Sequence, residues 1–596
     1  MYKNKIGAAF PEFIYLDKSK KRSGESGFKS AFTREYFLLV CLVVIIAAIF
    51  LKLFYLQVIK GSYYRYLADS NRIKTVIIHA PRGIILDRNN TPLVFNVPGF
   101  RKTVNGKTKI LEKDEVVNLM AKGEQGFEMD VLREYPYKES ASHVLGYIGQ
   151  ISEEELKNSK FVDYKSGDLI GKMGIENEYE ERLRGTNGKQ LFEVDSFGKE
   201  VRKLGQTDPV SGQNIKLTLD IKLQEATNNA MKDIKRGAVV ISNTKGEILA
   251  LVSKPSFDPN LFTMGSKYNQ SSDSASLKEI LTDTKYQTML NRTISGMYPP
   301  GSTFKLVVAA AGLEENIIDE NYTIEDTGVL KIGDFSFANW YYTSYGGKEG
   351  EVDIVKGIKR SNDIFFYKLA EKIGVNNISK WAKKFGLGEA LGIDLPGEVG
   401  GTVPNPEWKE KTIGEQWYLG DTYHYGIGQG YLLTTPLQVN SLTEAIANDG
   451  KFYQPHLLKN KKITENNKRF LSDKTIGLIK QGMIESCSEG GVAWPLFNFK
   501  VKNKDLKVDG KNFMEVPISS GSADMREISI ACKTGTAQHG GEQTLPHSWI
   551  TLFAPAYDPQ IVVTVLAEET GEGSNVAGPI SKKILEEYFK NIKNKL

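Results

Sequence analysis

The strongest hydrophobic signal lies near the N-terminus. Tyr36 to Leu51 (YFLLVCLVVIIAAIFL) carries no charge, and the apolar character resumes after Lys52 as LFYL. This run is long enough to cross a bilayer if the Lys52 ammonium snorkels to the surface, so a transmembrane helix is expected over residues 36–56. Later patterns are shorter. KTVIIHAPRGIILDRNNTPLVFN reads as two brief strands around tight turns, and residues 100–205 mix strands with helices such as GIENEYEERLRG. Together they predict an α+β domain over 57–210. A second domain, 211–596, opens with a strand, an amphipathic helix and the hairpin GAVVISNTKGEILALVS, which turns at Asn243–Gly246. Its middle is helical. Strands return late as EISIACKTGTAQ, HSWITLFAPA and QIVVTVLAE, before a final amphipathic helix, GPISKKILEEYFKNIKN. That order predicts an α/β domain whose antiparallel sheet gathers strands from both ends of the segment, with residues from Ser486 to Met525 as a long excursion before the late strands.

Charge sets the orientation. The tail 1–35 holds Lys3, Lys5, Lys18, Lys20, Lys21, Arg22, Lys29 and Arg34 against Glu12, Asp17, Glu25 and Glu35. An excess of positive charge places a tail in the cytoplasm and the chain beyond the helix outside. A cleaved signal peptide would have a shorter tail and a small-residue cleavage site. The length of 596 residues exceeds what one core supports. The net charge of +5 and the lack of a basic stripe exclude a nucleic-acid binder. With three cysteines, one of them (Cys41) inside the apolar run, a disulfide framework is excluded; at most Cys487 and Cys532 can pair. The glycine-rich stretches lack a phosphate-loop lysine.

The candidate chemistry begins at Tyr-Pro-Pro-Gly-Ser-Thr-Phe-Lys, residues 298–305. A serine becomes a nucleophile only with a base in reach and a rigid frame. Here prolines and a glycine fix the entry to a helix, Ser302 stands at its start and Lys305 lies on the same face. Unpaired N–H groups at the helix start favour developing negative charge. A capping serine with a solvated lysine would read the same way, and S-x-x-K recurs at Ser26, Ser196 and Ser242. Two further motifs narrow the choice. Ser361-Asn362-Asp363 precedes an apolar helix, which is also common capping chemistry. Lys533, Thr534, Gly535 and Thr536 lie on a late strand; cation, hydroxyls and a glycine suit a substrate carboxylate, as they suit a solvated edge strand.

S-x-x-K, S-x-[ND] and K-T-G in this order resemble the signature of serine β-lactamases and penicillin-binding proteins. PRGIILDRNN, GKMGIENEYEERLRGTNG, GLGEALGIDLPGE, GIGQGYLLTTPLQ and HSWITLFAP extend the likeness from about residue 60 to the end, to class B (monofunctional) penicillin-binding proteins of the elongation type. The resemblance implies a transpeptidase domain of the serine β-lactamase-like fold on a pedestal (dimerisation) domain. It implies a peptidoglycan D,D-transpeptidase in which Ser302 attacks the penultimate D-Ala carbonyl of a stem peptide, Lys305 is the base and Ser361 relays protons to the leaving amine. Asp363 would order that wall, Lys533 supply positive charge, and Thr534 and Thr536 bind the carboxylate. The N–H groups of Ser302 and Thr536 would form the oxyanion hole, and β-lactams would acylate Ser302. A D,D-carboxypeptidase and an acylated but non-cycling sensor or scaffold are the alternatives. The implied partners are the lipid bilayer and a membrane glycosyltransferase of the elongation or sporulation machinery.

The chain departs from the family at three places: a short stretch after Phe100, Asp363 as the third residue of the second motif, and Cys532 before K-T-G, where a small residue is usual. Cys532 lies near two of the six histidines, His539 and His547, and near Asp524. One cysteine, two histidines and a carboxylate are a tetrahedral zinc set, so a structural zinc bracing the Lys533 strand is expected, with a Cys487–Cys532 disulfide as the alternative. No organic cofactor is expected.

Overall fold

The structure is a computed structural model that describes residues 30–104, 107–111, 113–195, 197–264, 276–462, 465–515, 524–540 and 544–591. Most of the basic tail, residues 1–29, lies outside them. The chain divides into two compact units, one formed by Met1–Val76 with Lys189–Thr207, the other by Ile77–Gly188 with Asp208–Leu596.

In the first unit, the apolar run forms helix Ser30–Phe54, continues through a wider turn, Tyr55–Ile59, and resumes as Gly61–Arg72. The stretch Arg34–Ile59 is long and apolar enough to cross a membrane, and none of its most apolar window is covered by protein. Strand Ile73–Ile78 then pairs with the hairpin formed by Gly188–Val194 and Glu200–Thr207.

In the second unit, residues 77–188 fold around a buried ion cluster. Arg82 binds Glu176 and Glu180, each at 2.6 Å, and Arg133 binds Glu176 at 2.7 Å. All four side chains are nearly sealed from solvent. Buried charges persist only when paired and hydrogen-bonded, which explains why the PRG segment and the GIENEYEERL segment carry opposite charges so far apart in sequence. Asp87 closes the DRNN turn by accepting from the N–H groups of Asn89 and Thr91, both at 2.7 Å.

The main sheet has five strands: β1 (Gly237–Ser242), β2 (Ile248–Lys254), β3 (Ala531–Ala537), β4 (His547–Ala554) and β5 (Ile561–Ala567). Their order is β2-β1-β5-β4-β3, antiparallel throughout, so strands from the two ends of the segment meet at the β1–β5 seam as the sequence predicts. The strands read as apolar runs because helices cover both faces. On one face Val239, Ile241, Val563 and Val565 pack with Ile584, Leu585 and Phe589 of the C-terminal helix Ala577–Asn591, whose apolar spacing makes one stripe. On the other lies a helical layer: α1 (Lys305–Glu314), α2 (Asp363–Ile373), α3 (Pro436–Ala447) and α4 (Asp473–Ser486). Nine of the ten residues of α1 are buried. A helix apolar on all sides can only be a core element, and its N-terminus is thereby fixed beneath the sheet edge. The long excursion forms a small sheet in which Met525–Ile528 lies between Lys500–Lys502 and Phe513–Glu515. Such short strands of mixed polarity leave no clear alternation in the sequence.

Candidate active site

Ser302 lies in a 3-10 turn, Gly301–Phe304, that runs directly into α1 at Lys305. The turn is pressed onto β3. Gly301 has φ +55°, and a Cβ added there would stand 3.0 Å from Thr536 O; one added at Gly535 would stand 3.1 Å from Pro300 O. The left-handed backbone favours glycine at 301, and at both positions the close approach of the turn to the strand leaves little room for a side chain. The turn is pinned by three hydrogen bonds: Gly301 N–H to Gly428 O (2.9 Å), Trp549 Nε1–H to Pro299 O (3.1 Å) and Thr303 Oγ1–H to Pro300 O (2.8 Å).

Beside the Ser302 turn, two of the predicted residues converge on a third, and a fourth holds one of them. Lys533 Nζ donates to Ser361 Oγ at 2.8 Å, and Lys305 Nζ reaches the same oxygen at 3.4 Å. Lys305 also donates to Ser361 O (2.8 Å) and to Asp363 Oδ1 (2.7 Å). Ser302 Oγ is not among its partners. Both lysines are fully buried. Burial pulls the Lys305 amine below the usual lysine range, with Asp363 opposing the shift. Lys533 is pushed well below that range by burial, and further by the charge of Lys305. Two ammonium groups around one hydroxyl disfavour each other, so the cluster favours one neutral amine, the form that acts as a base. Ser361 is a non-glycine residue at φ +54°, a conformation held only where the surroundings fix it.

β3 ends the sheet, so one side of it is a free edge. Along it Lys533 and Gly535 alternate with Thr534 and Thr536; Thr534 is buried and Thr536 exposed. Of the two threonines, only Thr536 presents itself freely to a ligand at this edge.

The expected zinc set does not form. Cys532 is bonded to Cys487, which removes the thiolate a metal would need, so the pairing held as the alternative is the one present. His539 and His547 do come together, with ring centroids 3.8 Å apart, but as a tilted ring pair with 43° between the planes. His547 Nδ1 accepts the Glu569 N–H at 3.2 Å, and burial with the neighbouring His539 drives its pKa down to about 3. Asp524 immediately precedes the strand Met525–Ile528 of the small sheet, its carbonyl accepting from Asn503 N–H at 3.0 Å. Among the described residues no group of three or more His, Cys, Asp and Glu side chains is placed to hold a metal ion.

The sequence reading missed the layer behind Asp363. Trp340 N–H donates to Asp363 Oδ2 at 2.9 Å, and Asn339 Oδ1 accepts from Asp363 N–H at 3.1 Å. Asp326 in turn accepts from the amides of Asn339 and Asn362, each at 2.8 Å. The only signal was the polar residues of EDTG and FANW in a stretch without clear periodicity.

The profile of the penicillin binding protein transpeptidase domain matches residues 236–586, and that of the penicillin-binding protein dimerisation domain matches 125–217. The chain is 32% identical to the peptidoglycan D,D-transpeptidase MrdA of Acinetobacter baumannii, over 90% of this chain and 84% of that one. The structure of Pseudomonas aeruginosa PBP2 in complex with WCK 5153 is similar at a TM-score of 0.66 and 32% identity, covering 88% of this chain and 98% of that one. The complex between PBP2 and MreC from Helicobacter pylori contains a chain similar at a TM-score of 0.70 and 28% identity, with 87% and 99% covered.

Proposed function

The chain belongs to the penicillin-binding protein transpeptidase family, and from that premise we propose that Ser302 carries the acyl group as this peptidoglycan D,D-transpeptidase joins two stem peptides. The observation that supports the assignment most is Ser361 Oγ, shared by the two buried lysines immediately behind the Ser302 turn. Each side chain then has a task. The donor's terminal carboxylate binds at the β3 edge, beside Lys533 and the exposed Thr536. A carboxylate there favours charge on Lys533, which disfavours charge on nearby Lys305. The neutral Lys305 amine takes the Ser302 hydroxyl proton as Oγ attacks the penultimate D-Ala carbonyl. The N–H groups of Ser302 and Thr536 stabilise the oxyanion. The C–N bond breaks, Ser361 passes a proton from the lysine pair to the departing D-Ala amine, and an ester remains on Ser302. An amine of a second stem attacks that ester, an amide forms, and Ser302 Oγ recovers its proton. Asp363 holds Lys305 between steps, and the Thr534 carbonyl accepts from Lys533 Nζ at 2.9 Å.

In this reading residues 1–35 are a cytoplasmic tail, 36–56 span the membrane, 57–210 form the pedestal and 211–596 the transpeptidase domain outside the membrane; the long apolar helix and the basic tail support the orientation. A membrane glycosyltransferase of elongation or sporulation is the proposed partner, since cross-linking acts on newly made glycan strands; the likeness to PBP2 solved with MreC supports a place in such an assembly. Intact-mass measurement after incubation with a penicillin tests the nucleophile. One adduct on the wild type and none on Ser302→Ala is expected; an adduct on both, or on neither, overturns the assignment.

A further inference from the structure

Asp326 ends the short strand Ile324–Asp326, which pairs with Gly350–Val352, and its side chain is fully buried. Among the described residues no lysine or arginine forms an ion pair with it. It works instead as a fourfold acceptor. Oδ2 accepts from Asn339 Nδ2 (2.8 Å), Asn362 Nδ2 (2.8 Å) and Glu349 N–H (3.1 Å), and Oδ1 accepts from Gly328 N–H (2.7 Å). A buried carboxylate without a cation costs desolvation, and a neutral filler would avoid that cost. What the carboxylate offers is acceptor capacity on both oxygens with no donor of its own.

Both side-chain amides that it holds turn their oxygens to the start of α2. Asn339 Oδ1 accepts from Asp363 N–H at 3.1 Å, and Asn362 Oδ1 accepts from Phe365 N–H at 2.8 Å. Asn339 also delivers the next residue, Trp340, whose N–H binds Asp363 Oδ2. Ser361, at φ +54°, immediately precedes this clamp.

We infer that Asp326 is a positioning residue for acylation: through Asn339 and Asn362 it fixes the backbone that presents Ser361 and Asp363 to Lys305. This deepens the reading of Ser302 as the acylated nucleophile and rests on it.

Asp326→Asn places an amide donor against at least one N–H that now has an acceptor. Measured on the full-length protein, the second-order rate of acylation by a penicillin should fall on the order of a hundredfold, the effect of a displaced catalytic group. The pH profile separates positioning from folding. The charged groups facing Lys305 are Asp363, which favours its protonation, and Lys533, which opposes it. Loosening Asp363 should therefore move the acid limb of the profile to lower pH, whereas a mere loss of folded protein scales the rate and leaves the limb in place. In an Asp363→Asn background the effect of Asp326→Asn should largely vanish. Asn339→Ala, which cuts one arm and leaves the carboxylate with its other donors, should shift the limb in the same direction, and decides the matter if Asp326→Asn does not fold. A wild-type rate and limb in these variants, or full additivity with Asp363→Asn, overturns the inference. A wild type that forms no Ser302 adduct overturns the underlying reading instead.

Discussion

Ser361 and Glu444 show how single side chains set pH behaviour here. At Ser361 two buried lysines disfavour each other's charge, and the cluster is active when Lys305 is the neutral one. Glu444 is the opposite case. It is buried in α3, caps the β1–β2 hairpin by accepting Gly246 N–H at 3.0 Å, and has no cation beside it; burial raises its pKa to about 8. Its unfolded-state value is the ordinary 4.5, so between those values the folded chain binds the extra proton. Stability from this group is complete below pH 4.5 and is lost as pH rises toward 8. Glu444→Gln keeps an acceptor for Gly246 and a donor toward Ser242, and should flatten that slope. Unfolding temperatures at both ends of the window measure it: the variant should gain on the wild type at the alkaline end, and an equal difference at both ends would place the ionisation elsewhere. At this scale Ser302, Lys305, Ser361, Asp363 and Lys533 were legible, because each sits in a short motif whose neighbours prescribe a turn or a helix start. Asp326 and Asn339 were not. Their roles arise from hydrogen bonds between segments with no shared periodicity, and Asp and Asn in short irregular stretches read as turn formers.

Between elements, the Cys487–Cys532 bond ties the C-terminal end of α4 to β3, one residue before Lys533. The strand that carries Lys533 is thus paired with β4 along one edge and tied through the Cys532 side chain to a helix, while its other edge stays free. Removing the bond, as Cys487→Ser with Cys532→Ser, should cost about 2–4 kcal/mol of stability, the range found for native disulfides. Alkylation of the unfolded, unreduced protein should label Cys41 alone, and all three cysteines after reduction. Chelator treatment should leave the unfolding temperature unchanged. Labelling of Cys532 without reductant, together with a chelator-induced drop, would restore the zinc. The zinc expectation failed for a definable reason. Spacing correctly brought His539 and His547 together, but nearness in sequence says nothing about whether a thiol is already consumed by a partner 45 residues away. The same blindness applies to the small sheet around Met525–Ile528, whose strands are too short to leave a period.

For the whole molecule, the order of apolar runs carried most of the architecture. One uninterrupted run near the N-terminus, a hairpin, a helical middle and late strands suffice to predict a bilayer span and a two-ended antiparallel sheet, because a sheet covered on both faces must be built from continuous apolar strands. The buried Arg82–Glu176–Arg133 cluster was invisible in that order, since opposite charges far apart in sequence look like solvated surface. The proposed reaction uses a nucleophile, a base, a relay and a carboxylate-binding edge, and what distinguishes it from hydrolysis is the fate of the ester on Ser302. The decisive measurement supplies the full-length protein in detergent with a stem peptide ending in D-Ala-D-Ala, with and without an amine-bearing acceptor stem, and tracks the products by mass. The account predicts released D-Ala and an amide-linked dimer that depend on both Ser302 and the acceptor. Release of D-Ala with only hydrolysed peptide, acceptor present, would make the chain a carboxypeptidase; no D-Ala from a protein that penicillin acylates would make it a scaffold, and either result would contradict the account.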